Sequence, residues 1–499
     1  MPDERQVIAL IPLDERPVNV GLPRDVADIA GFGLVTPAPG VLPRFREPAD
    51  TTAVAGWLLT AAAAPRTAAA VVSADLLVYG GLIPARTSDD TTAAAIARLE
   101  VLRAVRSSRP DLPLSVVSLI TRASDAYSNV EEPEYWDRYG RELHGLGRAA
   151  HANWRGGAQT IPGLPAGIRD DFARRRLRNH IVNLATLGLR WEGVIDHLSL
   201  TADDTAEWSV GSAEQEWLRY WQLLRPAEGV AMHPGADETG AVLVARAILG
   251  LVGVSPVVRI IAGDPDGLAL VPPYENQPLA ESLPRQVAAA GGVVGDAADA
   301  VLVVHTADPT RGDQFSVLAP RSDPEAVRRT VAAVRRSFEE ADVVALADVR
   351  FANGADPALV EALAAEGLLW RLSAYGGWNT AGNAAGGAIA TALAVVAGIA
   401  AGTLDQAAVR TALARRLADD YAYQAIVRRE LGERLFGPTI APVDAALADS
   451  AGDALLSPIS ARLAAIGAPD AVRIERVMLP WRRSFEVELT LGQIEGSGT

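Results

Sequence analysis

Acidic residues standing side by side at strand-to-helix corners have the clearest chemical potential in this chain. The stretch Ala231-Met232-His233-Pro234-Gly235-Ala236-Asp237-Glu238-Thr239-Gly240 follows a short apolar run and precedes residues 241–250, which read as a helix. An Asp-Glu pair with a His and a Gly just upstream suits acid/base chemistry. The same two acids would equally complement the macrodipole of the helix they open. Asp203-Asp204 is a second pair. Adjacent carboxylates divide labour when their environments differ, one protonated and one ionised. Asp203 and Asp204 would also serve a divalent cation, with Asp14, Asp75 or Asp237 as further oxygen ligands.

Other polar residues close most of the apolar runs. Asp14-Glu15-Arg16 ends the first, where carboxylates and a guanidinium fork would bind substrate hydroxyls or simply fix the corner. Asp75 precedes Tyr79-Gly80-Gly81 and Arg86; the paired glycines imply close backbone approach or positive φ. His233 and His305 are either substrate donors or satisfied core histidines. Asn353-Gly354-Ala355-Asp356 reads as a ligand contact or as a turn and N-cap. In Tyr375-Gly376-Gly377-Trp378-Asn379-Thr380-Ala381-Gly382-Asn383, the rings of Tyr375 and Trp378 would stack on sugar C–H faces, and the amides of Asn379 and Asn383 would bond hydroxyls.

Composition narrows the chemistry. The chain has 499 residues, no cysteine, six histidines and a net charge of −15 from 46 basic and 61 acidic residues. Cysteine-based nucleophiles, disulfides, iron–sulfur clusters and Cys-ligated zinc are excluded, and no His-x-x-x-His spacing suggests a histidine zinc site. The acidic excess disfavours nucleic acid or an anionic membrane as the main partner. A 49% apolar content and a mean hydropathy of +0.13 imply a well-filled core, with no transmembrane run expected. The charged first residues resemble no secretory signal, so a cytoplasmic location is expected. Walker A, G-x-G-x-x-G and G-x-S-x-G signatures are missing, which disfavours nucleotide binding and serine hydrolysis. No cofactor is expected.

The elements that position these residues alternate. Short apolar runs at 7–12, 34–36, 68–73, 114–120, 194–200, 257–262, 300–304, 343–347 and 369–374 read as buried strands. Asp264 and Asp266 follow the run at 257–262, and His305 and Asp308 the one at 300–304. Amphipathic helices are expected between most of them, among them 51–64, 279–290, 324–340, 357–366 and 384–401. Residues from about 125 to 190 break the rhythm and read as a helical insertion, with 170–187 its longest helix. The fold class is α/β with mainly parallel strands. Polar residues at nearly every strand end favour a (β/α)8-barrel-like arrangement over residues 1–402, with a helical insertion and a mostly helical C-terminal region over 403–499. The alternative is two doubly wound α/β domains, split near residue 253, with a cleft between them; residues 256–379 could form a doubly wound unit alone.

Leu13-Asp14-Glu15-Arg16-Pro17-Val18-Asn19, Asp75 with Tyr79-Gly80-Gly81, and the Tyr375 to Asn383 stretch together resemble the bacterial domain-of-unknown-function 4127 family. That resemblance covers most of the chain and brings no activity with it. Separately, His233-Pro234-Gly235-Ala236-Asp237-Glu238 is similar to the His-x-Gly-Gly-Asp-Glu signature of family 20 β-N-acetylhexosaminidases, with Ala236 in place of a glycine. That similarity implies Glu238 as general acid and Asp237 as the residue that orients a substrate 2-acetamido group. Asp203-Asp204 resembles the adjacent aspartates of family 84 enzymes, which share this chemistry. The expectation is a glycoside hydrolase acting on a small glycan, with Asp237, Glu238, Asp203 and Asp204 as catalytic candidates. Substrate contacts are expected from Asp14, Glu15, Arg16, Asp75, Tyr79, His233, Asn353, Asp356, Tyr375, Trp378, Asn379 and Asn383. The alternatives are a divalent-metal-dependent hydrolase or lyase and a sugar-binding protein without catalysis. The sequence is compatible with a homo-oligomer.

Overall fold

A computed structural model describes residues 5–307, 322–437 and 441–492. Asp308, expected beside His305 at a strand end, lies outside the described residues. The chain is mixed α/β, and its parallel strands divide between two sheets. The first contains β1 (Val7–Ile11), β2 (Gly33–Val35), β3 (Thr67–Ser73), β4 (Leu114–Ile120), β5 (His197–Ala202) and β6 (Val230–Pro234) in the order β2-β1-β3-β4-β5-β6. The second contains β7 (Val257–Ala262), β8 (Val293–Val294), β9 (Ala300–His305), β10 (Val343–Asp348) and β11 (Ala374–Gly376) in the order β11-β10-β9-β7-β8.

Read from β8, the second sheet repeats the first: each sheet's second strand lies outside its first, and the later strands add on the other side. This is the doubly wound order, with the switch point between β1 and β3 in one sheet and between β7 and β9 in the other. The single barrel expected above is not observed. A barrel runs its strands in chain order around one ring, whereas here β1 pairs with β3, and β7 with both β8 and β9.

Contacts group the chain into two compact units. One holds the residues up to Glu15 with Leu34–Leu243 and Tyr274–Gln277. The other holds Arg16–Gly33, Val244–Pro273 and the residues from Pro278 onward.

In the first unit the inner strands are apolar because both faces are covered; β4 is buried at all seven positions. Two helices, Trp136–Trp154 and Ala166–Trp191, stand between β4 and β5. The longer one packs on both strands and fastens itself with amides. Asn183 donates to Ser118 Oγ at 2.8 Å and to Leu119 O at 3.1 Å, and Asn179 to Ala85 O at 3.0 Å. Buried polar groups are tolerated here because they are paired. β5 starts later than the apolar run at 194–200 suggests, since Ser115 pairs with His197, and this brings Asp203 to the carboxyl edge.

In the second unit the long apolar helix Ala381–Ala401 packs against β9, β10 and β11. It is long and apolar enough to cross a membrane, yet most of it is buried in the fold. The approach is close: a Cβ on Gly376 would stand 2.2 Å from Ala384 O. The run at 369–374 is not one strand. Leu369–Arg371 is a 3-10 turn, and pairing of Ala345 with Ala374 places the strand over Ala374–Gly376. Leu369 and Leu372 still reach the core, from the turn rather than from a strand. Beyond residue 403 come Gln406–Arg416, an eleven-residue π-helix over Leu417–Val427, then Arg428–Phe436 and Ala445–Ala465. An antiparallel pair, β12 (Ile474–Met478) with β13 (Glu488–Leu491), follows.

Candidate functional site

The carboxyl edge of the first sheet collects Asp14 and Glu15 after β1, Asp75 and Tyr79 after β3, Thr121 and Arg122 after β4, Asp203 and Asp204 after β5, and His233, Asp237 and Glu238 at β6. Strands lie about 4.8 Å apart, so the ends of β1 and β6, four spacings distant, are separated by roughly 19 Å. β1 and β6 are the most widely separated of the acid-bearing strands. The acids of β5 and β6 are one spacing apart, and they define the candidate site.

At β5, two arginines that sequence reasoning left out of the site organise the acids. Arg86 Nη2 lies 2.6 Å from Asp203 Oδ2, and its Nη1 lies 2.9 Å from Glu131 Oε2. Arg122 reaches Asp204 at 2.9 Å, Glu131 at 2.8 Å and Glu132 at 3.0 Å. Burial pushes Asp203 up, but Arg86 and Arg122 outweigh it and hold its carboxyl below the usual range. Burial raises Asp204, with Arg122 opposing and Asp203 adding, although 32% of its side chain remains exposed. The two aspartates are therefore driven apart in proton affinity. Asp75 lies deeper; it accepts from Leu119 N at 2.9 Å, and burial lifts it to about 7, with Asp203 contributing. Tyr79 is buried under the guanidinium of Arg178, 4.7 Å from its ring centre. Gly80 and Gly81 have φ of +85° and +134°, and a Cβ on Gly80 would meet Ala49 O at 2.7 Å. The glycine pair is thus demanded by backbone geometry.

At β6, Pro234 is tolerated because the strand is the last in its sheet. His233 is fully buried, its Nδ1 2.8 Å from Pro234 O. Gly235 has φ +131°, which turns the chain so that Ala236 N donates to Glu238 Oε2 at 3.1 Å. A Cβ on Gly235 would sit 1.9 Å from Glu238 Oε1. Glu238 also opens the helix Thr239–Val252, its carbonyl accepting from Val242 N at 3.0 Å. Burial lifts Glu238 to about 8, with Asp237 and Glu275 adding. Glu275 arrives on the segment Tyr274–Gln277. That segment is tied down by Thr205 N to Tyr274 O at 2.8 Å, Asn276 to Ser212 Oγ at 3.1 Å, and Arg219 to Gln277 at 3.3 Å. Only the geometry reveals Glu275, because nothing in its local sequence marks it.

The remaining candidates, Glu15 apart, belong to the second unit. Arg16 lies over Trp481, 4.4 Å from the ring centre, and 3.8 Å from Glu486, while Glu15, in the first unit, accepts from Phe45 N at 2.7 Å. Asp356 caps the helix Pro357–Ala365 through Ala358 N and also faces His305 Nε2 at 3.2 Å and Ser322 Oγ. His305 Nδ1 lies 2.8 Å from Thr330 Oγ1. Tyr375 is buried in the core and donates to Asp348 Oδ2 at 3.0 Å, so its ring offers no face for stacking. Trp378 is buried against Phe485 at 5.5 Å. Asn353 and Asn379 both hold left-handed backbone, φ +63° and +66°, and Asn353 N donates to Asn379 O at 2.9 Å. Asn383 N bonds the capping Thr380 Oγ1 at 3.3 Å. Sequence reasoning missed Asp420, which the π-helix delivers to Gly377 N at 2.8 Å; burial lifts it to about 7. Burial likewise lifts Asp348 to about 6.

Among the described residues no three His, Asp or Glu side chains group to hold a metal ion. The cations that Asp203 and Asp204 meet are arginines. A model of the family described as "Protein of unknown function (DUF4127)" matches residues 8–490. No curated protein and no solved structure matches the chain.

Proposed function

We propose that this chain, which belongs to the DUF4127 family, is an acid/base hydrolase of a small glycan carrying a 2-acetamido sugar, with Glu238 as proton donor and Asp237 orienting the acetamido group. One observation carries the reading. At neighbouring strand ends, Glu238 holds its proton to about pH 8 while Asp203 is kept ionised by Arg86 and Arg122. Carboxyls whose environments separate their proton affinities serve as proton donor and as fixed anion, and in a substrate-assisted reaction the donor is the carboxyl that must exchange a proton. In this scheme the acetamido oxygen attacks the anomeric carbon as Glu238 passes its proton to the departing oxygen. Glu238 then takes a proton from the water that opens the cyclic intermediate. Glu238 has no solvent exposure, so substrate entry requires the chain beside it, including Tyr274–Gln277, to move. A cytoplasmic location and a small carbohydrate as partner belong to the same reading.

A panel of nitrophenyl glycosides and unactivated oligosaccharides tests it. Glu238→Gln should lower kcat by roughly 10²–10⁴ on poor leaving groups and much less on activated aryl glycosides. Asp237→Asn should slow both kinds alike. Activity should fall as pH rises through about 8, where Glu238 loses its proton. Absence of turnover on every sugar, with the fold intact, would refute hydrolysis. Binding of a sugar without product would favour a sugar-binding protein instead.

A further inference from the structure

The aromatic residues that the sequence singles out are covered, but one beside the acids of β5 is open. Tyr274 is 48% exposed, and among the described residues no other ring or guanidinium stacks on it. Its backbone lies in the left-handed region at φ +66°. A bulky residue rarely adopts that conformation, and it persists only where the surroundings impose it. Here they do. Thr205, the residue after Asp204, donates from its N to Tyr274 O at 2.8 Å. Asn276 donates to Ser212 Oγ at 3.1 Å, and Ser212 Oγ lies 3.0 Å from Thr205 Oγ1. Glu275 and Gln277 are buried, so Tyr274 is the one exposed residue of the segment Tyr274–Gln277.

The segment holds that ring at the accessible part of the acid cluster. Asp204 keeps 32% of its side chain in solvent and Arg122 keeps 21%, whereas Glu238, on the neighbouring strand, has none. Both charges reach the phenol: burial and Asp204 raise its pKa, and Arg122 lowers it. Each Nη of Arg122 gives one N–H to a carboxylate, on Asp204 and on Glu131, and keeps a second. An open aromatic face beside a carboxylate and spare N–H groups matches a pyranose, whose C–H face stacks while its hydroxyls bond at the rim. We propose that Tyr274 is the stacking platform for a neutral sugar at this site, its ring on the C–H face and Asp204 and Arg122 on the hydroxyls. The nature of the ligand rests on the glycosidase reading; the platform rests on the geometry of Tyr274. An anionic sugar fits less well, because Asp203, Asp204, Glu131 and Glu132 outnumber Arg86 and Arg122. The left-handed turn also gives consecutive side chains separate duties, Tyr274 beside Asp204 and Glu275 acting on Glu238.

Isothermal titration calorimetry of the full chain with N-acetylglucosamine and its β-linked disaccharide tests this. Tyr274→Phe keeps the ring and should bind within about twofold of the wild type. Tyr274→Asn removes the ring but suits left-handed backbone, so it should unfold at the same temperature or higher while binding roughly tenfold more weakly. On any nitrophenyl glycoside that is turned over, Tyr274→Asn should raise KM more than it lowers kcat, a split that damage to the fold would not produce. A Tyr274→Asn variant that binds as tightly as the wild type overturns the platform and leaves the glycosidase reading standing. So does a Tyr274→Phe variant as weak as Tyr274→Asn, since the hydroxyl and not the ring would then hold the sugar. Binding lost in Tyr274→Asn and kept in Tyr274→Phe, with no sugar cleaved, supports the platform while removing hydrolysis. A wild type that binds neither probe at about 10 mM removes both. Tighter binding of N-acetylglucosamine 6-phosphate than of N-acetylglucosamine overturns the choice of a neutral ligand.

Discussion

Replacing Glu238 by Gln gives a prediction independent of any substrate. In the folded chain burial raises this carboxyl from 4.5 to about 8, so at pH 7 roughly ten molecules in eleven carry the proton. In the unfolded chain it ionises near its ordinary value. Between about pH 4.5 and 8 the native state therefore binds one more proton than the unfolded state, and stability falls as pH rises, by about 1.4 kcal/mol per pH unit. The stabilisation is fully present below pH 4.5 and gone above about 8. Three and a half pH units set its ceiling at about 5 kcal/mol, an upper bound because water entry eases burial of the ionised form. Glutamine is neutral throughout and keeps an oxygen to accept from Ala236 N. Relative to wild type, Glu238→Gln should be near neutral at pH 5 and more stable by several kcal/mol at pH 9. Urea unfolding followed by tryptophan fluorescence at pH 5, 7 and 9 measures this. Parallel pH profiles for the two proteins, within about 1 kcal/mol, would refute the burial argument and remove the support for Glu238 as a proton donor. Asp75 and Asp420, each lifted to about 7, add slopes of the same sign to both proteins and cancel in the difference.

Other substitutions probe the same architecture. Gly235→Ala forces a Cβ into Glu238 Oε1 and a side chain into φ +131°, and should cost at least 2 kcal/mol in thermal unfolding. Asp203→Asn strips Arg86 and Arg122 of a buried partner and should cost about 3–5 kcal/mol. Asp204→Asn, at a more open carboxyl, should cost under about 1 kcal/mol, so equal losses for the pair would contradict the network described here. Gly376→Ala separates the strand from the helix Ala381–Ala401 and should abolish soluble expression; a normal yield would contradict the close packing.

Much of the strand and helix content was legible because buried parallel strands leave short apolar runs punctuated by polar residues. How the strands pair was not. Val7 and Thr67 meet through register, and nothing local distinguishes a ring of strands from two sheets. The corner at Glu238 was visible because His, Gly, Asp and Glu fall within six residues. Its neighbours were not: Glu275 lies on a different segment, and Arg86 and Arg122 became site residues only when their partners at 131, 132, 203 and 204 came together. Tyr375 and Trp378 misled for the opposite reason. An aromatic beside glycines looks available for stacking, but whether its face is covered depends on Asp348 and Phe485, which the local sequence does not contain. Asp420 was hidden in a stretch read simply as helical, where only the wider π turn aims its carboxylate at Gly377.

The helix Ala381–Ala401 bears on the order in which the chain can be completed by the ribosome. It follows, in sequence, every strand of the sheet it covers. From emergence of β10 to release of residue 401, some fifty residues must be added, roughly 3–10 s at 5–20 residues per second. During that interval β9 and β10 lack the apolar layer that later seals them, and the helix itself, once made, has the length and hydropathy by which translocation machinery recognises a span. Docking on the waiting strands withdraws both hazards in one event.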